Sequence, residues 1–238
     1  MSEKKEKDLL EEVQFTRSSV IVFFIFLFHL FRGFASGRGF KQRPPGAGGN
    51  RRKLELDSYI AEANFLSKCI RCGQCGIVCP EQERGEGSFK AIQFCESGFD
   101  QGTPFIEPRK AACIMCVDKP CVVACPTDAL DLGGKEIEDS IMGTAEIVSP
   151  GGCLAIQGLR CEVCYNRCPL IGDAIKLEKK VNKRTGVHIT YVPVVDSDVC
   201  TGCGICEQVC IAEEPVIKVR QFYPPFKNPD FYKFKGSS

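Results

Sequence analysis

Histidine is almost absent from this chain: His29 and His188 are the two in 238 residues. His188 falls in a stretch that reads as a hairpin, so it is expected on a strand face. His29 sits inside an apolar run, where a capped or snorkelling imidazole is favoured over a haem or quinone contact. Also lacking are a G-x-G-x-x-G turn and a Walker loop, which removes the usual cradles for a nucleotide. No Ser/His/Asp set or carboxylate pair stands out, so hydrolytic and acid–base chemistry has no obvious seat. No nucleic-acid motif is present. Long hydrophobic runs are missing too. The longest, residues 20–31, is rich in phenylalanine and broken only by His29; at ~1.5 Å per residue it reaches about 18 Å, short for a bilayer. It reads as a signal-peptide core or a signal anchor lengthened by snorkelling Arg32, with a buried core helix as the alternative. Two adjacent arginines, the mark of a folded-protein export signal, are replaced by Thr16-Arg17-Ser18-Ser19.

What the chain has instead is cysteine, seventeen of them. Such a count signals either a disulfide framework or a metal protein, and ligand-like clustering decides between them. Cys69-x2-Cys72-x2-Cys75-x3-Cys79-Pro80 is the bacterial iron–sulfur run, in which three cysteines hold one cube and the fourth reaches to a neighbouring one. Gly73 and Gly76 are expected to let the backbone turn close to the cube. A second run is Cys113-x2-Cys116-x4-Cys121-x3-Cys125-Pro126. The third, Cys161-x2-Cys164-x3-Cys168-Pro169, has three cysteines, and Cys153 upstream is its natural fourth. The last, Cys200-x2-Cys203-x2-Cys206-x3-Cys210, repeats the first spacing with Ile211 in place of proline. Proline after the closing cysteine is expected to start a short helix, as over residues 125–130. Zinc sites pair two C-x2-C knuckles a dozen or more residues apart, which these dense runs do not do. Disulfides fit worse, because cysteines this close in sequence rarely meet the Cα geometry and an odd count leaves one over. These sixteen cysteines are therefore the expected iron ligands of four [4Fe–4S] clusters. Cys95 is left outside as a buried structural thiol, with a reactive or interfacial role as the alternative. The formal charge of +1 ignores about −8 from sixteen thiolates on four cores, so the loaded protein is acidic and part of its Lys and Arg offsets cluster charge.

Taken in order, residues 1–19 form a charged segment, and with the apolar run they make an N-terminal region, 1–32. Residues 33–57 read as a linker, a tether in which Pro44-Pro45-Gly46 and Gly48-Gly49 forbid regular structure. Residues 58–68 carry helical spacing and deliver the chain to the first run. Residues 175–180 and 187–195 read as strands of a hairpin turning through 182–186, and 216–219 as a further strand; the rest is loop. Residues 221–238 form an aromatic, proline-broken tail that either packs on a partner or the body or is disordered.

The chain resembles the NapG/MauM ferredoxin-type family from about residue 43 to residue 219. The likeness rests on Arg43-Pro44-Pro45-Gly46-Ala47, Cys69-Ile70-Arg71-Cys72-Gly73, Gly102-Thr103-Pro104 and Cys125-Pro126-Thr127-Asp128-Ala129-Leu130. It is strongest at Gly158-Leu159-Arg160-Cys161-Glu162-Val163-Cys164-Tyr165 with Cys168-Pro169-Leu170, and Arg184-Thr185-Gly186 and Cys200-Thr201-Gly202-Cys203-Gly204 complete it. The resemblance implies an α+β, loop-rich fold of two intertwined ferredoxin-like modules, spanning 58–220, with four [4Fe–4S] clusters. It also implies electron flow from a polytopic, NapH-like quinol-oxidising membrane partner to a c-type cytochrome or reductase. A maturation scaffold and a cluster subunit of a molybdenum enzyme are the alternatives, and in all three the chain itself has no catalytic residue.

Cross-ligation then sets the pairing of the runs. Shared spacing pairs the first with the last: Cys69, Cys72 and Cys75 with Cys210, and Cys200, Cys203 and Cys206 with Cys79. The inner runs follow, giving Cys113, Cys116 and Cys121 with Cys168, and Cys153, Cys161 and Cys164 with Cys125. Pairing of sequence neighbours is the alternative. Membrane association through residues 20–31 on the periplasmic side is the family's expectation. The cations that follow the apolar run (Arg32, Arg38, Lys41, Arg43, Arg51, Arg52, Lys53) pull the other way, toward the cytoplasmic face.

Overall fold

The computed structural model describes residues 42–48, 55–84, 87–98, 100–181 and 186–220. The N-terminal region with its apolar run, most of the linker, the hairpin turn at 182–185 and the tail at 221–238 lie outside these. Among the described residues no helix is long and apolar enough to cross a membrane.

The longest helix among the described residues, α1 (Glu55–Lys68), starts before the predicted 58–68 and ends at the first cysteine. Glu62, Phe65 and the half-buried Leu66 turn one side inward at helical spacing. Phe65 is 2% exposed, a burial that contributes about 2–3 kcal/mol. After α2 (Gln74–Val78) the chain forms two hairpins, β1 (Glu81–Arg84) with β2 (Gly87–Lys90) and β3 (Ile92–Phe94) with β4 (Pro104–Ile106). The short helix α3 (Pro120–Val123) follows. The second half holds β5 (Thr144–Ile147), α4 (Val163–Asn166), β6 (Ile175–Val181), β7 (Ile189–Val195), α5 (Ile205–Gln208) and β8 (Ile217–Arg220). β6 pairs with β7 as predicted, Ile175 facing Val195. β8 sits one residue beyond its predicted place and pairs antiparallel with β5, a strand with no signal in the sequence.

Among the described residues each sheet has only two strands, too few to form a core of its own. The cores are instead built around sulfur. Cys75, Cys79 and Cys121 pack with Phe65, Ile92 and Leu130 in the first half. In the second, Cys200 and Cys206 pack with Ala145, Ile175 and Ile217.

Two expectations need correction. Residues 42–47 are not a tether: Gln42, Arg43 and Ala47 are 4–6% exposed, and Pro44 and Pro45 lie among the most deeply buried side chains. Prolines forbid a helix or ladder there, but a chain without regular structure still packs when its polar groups find partners. The Gln42 carbonyl accepts from Ile106 N–H at 2.7 Å, and Gly46 accepts from Asp131 N–H at 2.8 Å. Nor does Pro126 start a helix: residues 126–130 turn, with Asp128 at φ 52°. The short helices lie inside the runs, ahead of the closing cysteine. α2 and α5 each follow a glycine at positive φ, Gly73 (79°) and Gly204 (89°).

Candidate metal-cluster sites

The backbone of three runs repeats one turn. The residue before the second cysteine is left-handed in each: Arg71 at φ 60°, Met115 at φ 56° and Gly202 at φ 71°. Such a reversal directs successive N–H groups toward one point, a nest suited to anionic sulfur. At Gly202 no other residue fits, since a Cβ there would meet the Gly143 backbone at 2.4 Å. Gly76 is required for a reason not foreseen in the sequence: a Cβ would strike the Phe94 ring at 2.5 Å.

The sixteen run cysteines gather into four quartets. A cavity walled by Cys79, Cys113, Cys116 and Cys121 is otherwise lined mostly by apolar groups, among them Pro45, Ile92, Ile106 and Ile137. A second is walled by Cys153, Cys161, Cys164 and Cys210 with Ile147, Leu154 and Val216. Cys75 lies in the field of Cys69, Cys72 and Cys125. Cys168 lies in that of Cys203 and Cys200, and Cys206 in that of Cys203, Cys200, Cys164 and Cys168, of which Cys164 already walls the second cavity. In chain order of their main run these are quartets one (69, 72, 75, 125), two (113, 116, 121, 79), three (153, 161, 164, 210) and four (200, 203, 206, 168).

This corrects the pairing by shared spacing. Cys210 joins the third run and not the first, Cys79 the second, Cys125 the first and Cys168 the last, so sequence neighbours pair and the two modules follow one another along the chain rather than intertwining. Loop closure favours the placement of Cys79 and Cys210 by about 1 kcal/mol each, because the loops they close are shorter. Local bonds hold the partners together: Gln82 Nε2 donates to Ala112 O at 2.8 Å in the first half, and the β5–β8 ladder brackets runs three and four in the second. Equal spacing of the first and last runs thus marks similarity, not contact.

The donor set is chemically uniform, four thiols in each quartet, and in quartets two and three the surroundings are mostly apolar. Burial pushes the thiols of Cys75 and Cys164 up to about 11 and that of Cys121 to about 12, and neighbouring thiols add to the rise. A metal held by these sulfurs would therefore displace protons that water alone would not remove. Cys125 is the exception. Burial raises it, but N–H groups of Leu130, Thr127 and Ala129 and the Thr127 hydroxyl outweigh that and hold it below the ordinary thiol value. Leu130 N–H donates to Cys125 Sγ, and Ala145 N–H to Cys200 Sγ, each at 3.4 Å. Among the described residues no three His, Cys, Asp or Glu groups close around a single ion. These quartets suit an iron–sulfur cube, whose corners are held by separate thiolates.

Cations fix the helix ends beside the ligands. Lys90 Nζ donates to Gly76 O and Ile77 O at 3.2 and 2.8 Å. Arg109 donates to Cys210 O at 2.8 Å and to the carbonyls of Glu207, Gln208, Ala212 and Glu213. Both sit where helix dipoles favour positive charge.

The sequence reading missed a buried network that braces the first half. Arg43 Nε donates to both Glu62 carboxylate oxygens at 2.9 and 3.1 Å, and its Nη1 to Thr103 Oγ1 and Pro104 O. Asp100 lies at 3.4 Å, and the guanidinium stands over Phe65 at 5.1 Å. The signal was Arg43 ahead of two prolines, which the linker reading absorbed. Cys95, 3% exposed, is the buried thiol expected, and it donates to Asp100 Oδ2 at 3.3 Å. His188 is exposed just ahead of β7 and joins no quartet.

No protein-family model matches the chain, and no solved structure matches it. Curated relatives do. The ferredoxin-type protein NapG of Escherichia coli K12 is 44% identical over 185 residues, covering 78% of this chain and 72% of that protein. NapG of Haemophilus influenzae is 45% identical over 155 residues, 65% of this chain and 53% of the relative. The methylamine utilization ferredoxin-type protein MauM of Paracoccus denitrificans is 39% identical over 178 residues, 74% of this chain and 70% of the relative. Ferredoxin-type relatives and seventeen cysteines together support iron–sulfur clusters and an electron-transfer role. The chain belongs to the NapG/MauM ferredoxin-type family.

Proposed function

We propose that this protein holds four [4Fe–4S] clusters, one in each cysteine quartet, and passes single electrons from a quinol-oxidising membrane partner to a periplasmic cytochrome or reductase. The observation that carries the reading is the sorting of all sixteen run cysteines into four all-thiol quartets, two of them in mostly apolar cavities. When bound, a [4Fe–4S] cluster accepts and returns one electron without exchanging ligands. The chain supplies the rest. Cys125 and Cys200 receive N–H bonds that stabilise negative sulfur. Ile92, Ile106 and Ile137 around quartet two, and Ile147, Leu154 and Val216 around quartet three, keep water from the sulfurs. No titratable side chain need change protonation for an electron to pass.

Membrane attachment through residues 20–31 and a periplasmic position belong to the same proposal, motivated by the apolar run and the family. Protease protection in spheroplasts tests the side: digestion of the body from outside is expected, and full protection overturns it. For the core reading, protein prepared without oxygen should be brown, carry about sixteen irons per chain, and be reduced by a quinol analogue in membranes holding its partner. A colourless, zinc-laden sample, or one inert to quinol in those membranes, overturns it.

A further inference from the structure

We infer that the four quartets stand in single file in the order one, two, four, three, so that the third run rather than the fourth forms the far end of the relay. The inference rests on the quartet reading above and adds their sequence in space, which differs from their order along the chain.

Three contacts link the four quartets. Quartets one and two share a core, Cys75 and Cys125 packing with Cys79 and Cys121, and Cys121 lies in the field of Cys75. Quartets two and four meet at the boundary between the halves. There Cys113 N–H donates to Cys203 O at 3.0 Å, and the two cysteines share a small core with Ile106, Met115 and Met142. Quartets four and three share the second-half core, where Cys206 packs with Cys164 and Cys210 and lies in the field of Cys164. Gln42 Nε2 donates to Gly202 O at 2.6 Å across the same boundary, and Gly204 lies so close to Pro108 that a Cβ would come within 2.6 Å of it. The middle junction is therefore held by backbone bonds and close packing, and its separation is fixed. Tunnelling falls off exponentially with distance, so each electron takes the three short steps. One electron arrives from a reduced donor protein at one end, one leaves to an oxidised acceptor protein at the other, and the chain returns to its starting state. Burial agrees with the order. Two cysteines of quartet two (Cys79, Cys121) and three of quartet four (Cys200, Cys203, Cys206) are buried, against one each at the ends (Cys75 in quartet one, Cys153 in quartet three), and Cys72 of quartet one is exposed.

The test removes one quartet at a time and reads magnetic coupling in the fully reduced protein, since neighbouring paramagnetic clusters broaden each other. Cys116→Ser, in quartet two, should leave quartet one as an isolated, uncoupled signal beside a coupled pair. Cys164→Ser, in quartet three, should leave three in contact and no isolated signal. Coupling of all three survivors in Cys116→Ser overturns the order. Should a variant fail to retain about twelve irons, distances in the otherwise intact oxidised protein decide. Nitroxides are placed pairwise at Gln74→Cys beside quartet one, Lys110→Cys near the junction and Leu159→Cys beside quartet three. The 74 to 159 separation should exceed both others, and a shorter value refutes the single file. Sixteen irons with the wrong distances sinks the order alone; absence of iron sinks the functional reading instead.

Discussion

The two halves do the same thing with different means of support. Each pairs two neighbouring runs and exchanges their fourth cysteines: Cys79 against Cys125 in the first, Cys168 against Cys210 in the second. Around this shared plan the first half has a helix, two small hairpins and a buried ion network at Arg43. The second has the β5–β8 ladder, the long β6–β7 hairpin and Glu207, whose carboxylate accepts Val219 N–H at 2.7 Å. The ligand plan is therefore the invariant of the architecture, and the scaffold around it is interchangeable. What differs is where each half is vulnerable.

Iron removal strikes both halves and should have the largest effect. With cores made of cysteine and two-stranded sheets, chelation under reducing conditions is expected to abolish cooperative folding, read by circular dichroism and hydrogen exchange. Any surviving protection should lie in α1, packed through Phe65 and Arg43; equal protection in the β6–β7 hairpin would remove the distinction between the halves. Single ligand losses come next. Cys210→Ser should cost one cluster, about four of sixteen irons, with spectra placing the loss in the second half. A loss from the first half would restore the pairing by shared spacing. Arg43→Met leaves Glu62 and Asp100 buried beside an uncharged side chain and should cost about 3–5 kcal/mol, by denaturant unfolding of the loaded protein. Hydrogen exchange should rise around Thr103 and α1 and stay unchanged in β5–β8. Its counterpart, Arg109→Ala, removes carbonyl contacts that face solvent and should cost about 1 kcal/mol, loosening α5 and the residues after Cys210 only. The smallest effect is on potential. Thr127→Val withdraws the hydroxyl that helps stabilise the Cys125 thiolate. It should lower the potential of quartet one in a redox titration and leave the other three in place.

The sequence marked which cysteines gather far better than it marked which of them are neighbours. Spacing alone identified the sixteen cysteines that the structure gathers, because cluster geometry is imposed locally by three residues in a turn. It also marked the helix before Cys69 and the β6–β7 hairpin, where periodicity is strong. The fourth ligand is a tertiary choice, and equal spacing in the first and last runs carries no information about distance. Gln42 to Ala47 misled for a related reason: two prolines and a glycine rule out regular structure, yet say nothing about burial. Only the partners of Arg43, distant in sequence at Glu62 and Thr103, reveal that this segment is interior. The β1–β2 and β3–β4 pairs and β5, three or four residues per strand, are too short for alternation to register, and β8, which is marked, carries no sign of its partner.

The exchange of closing cysteines has a consequence for the chain as a thread. With clusters seated, residues 69–125 and 153–210 would each be cross-tied twice, so a protease cut between β1 and β2 would nick the polypeptide without parting it. The two pieces should travel together through native gel filtration and come apart only when the metal is stripped, which makes the clusters the rivets of the molecule.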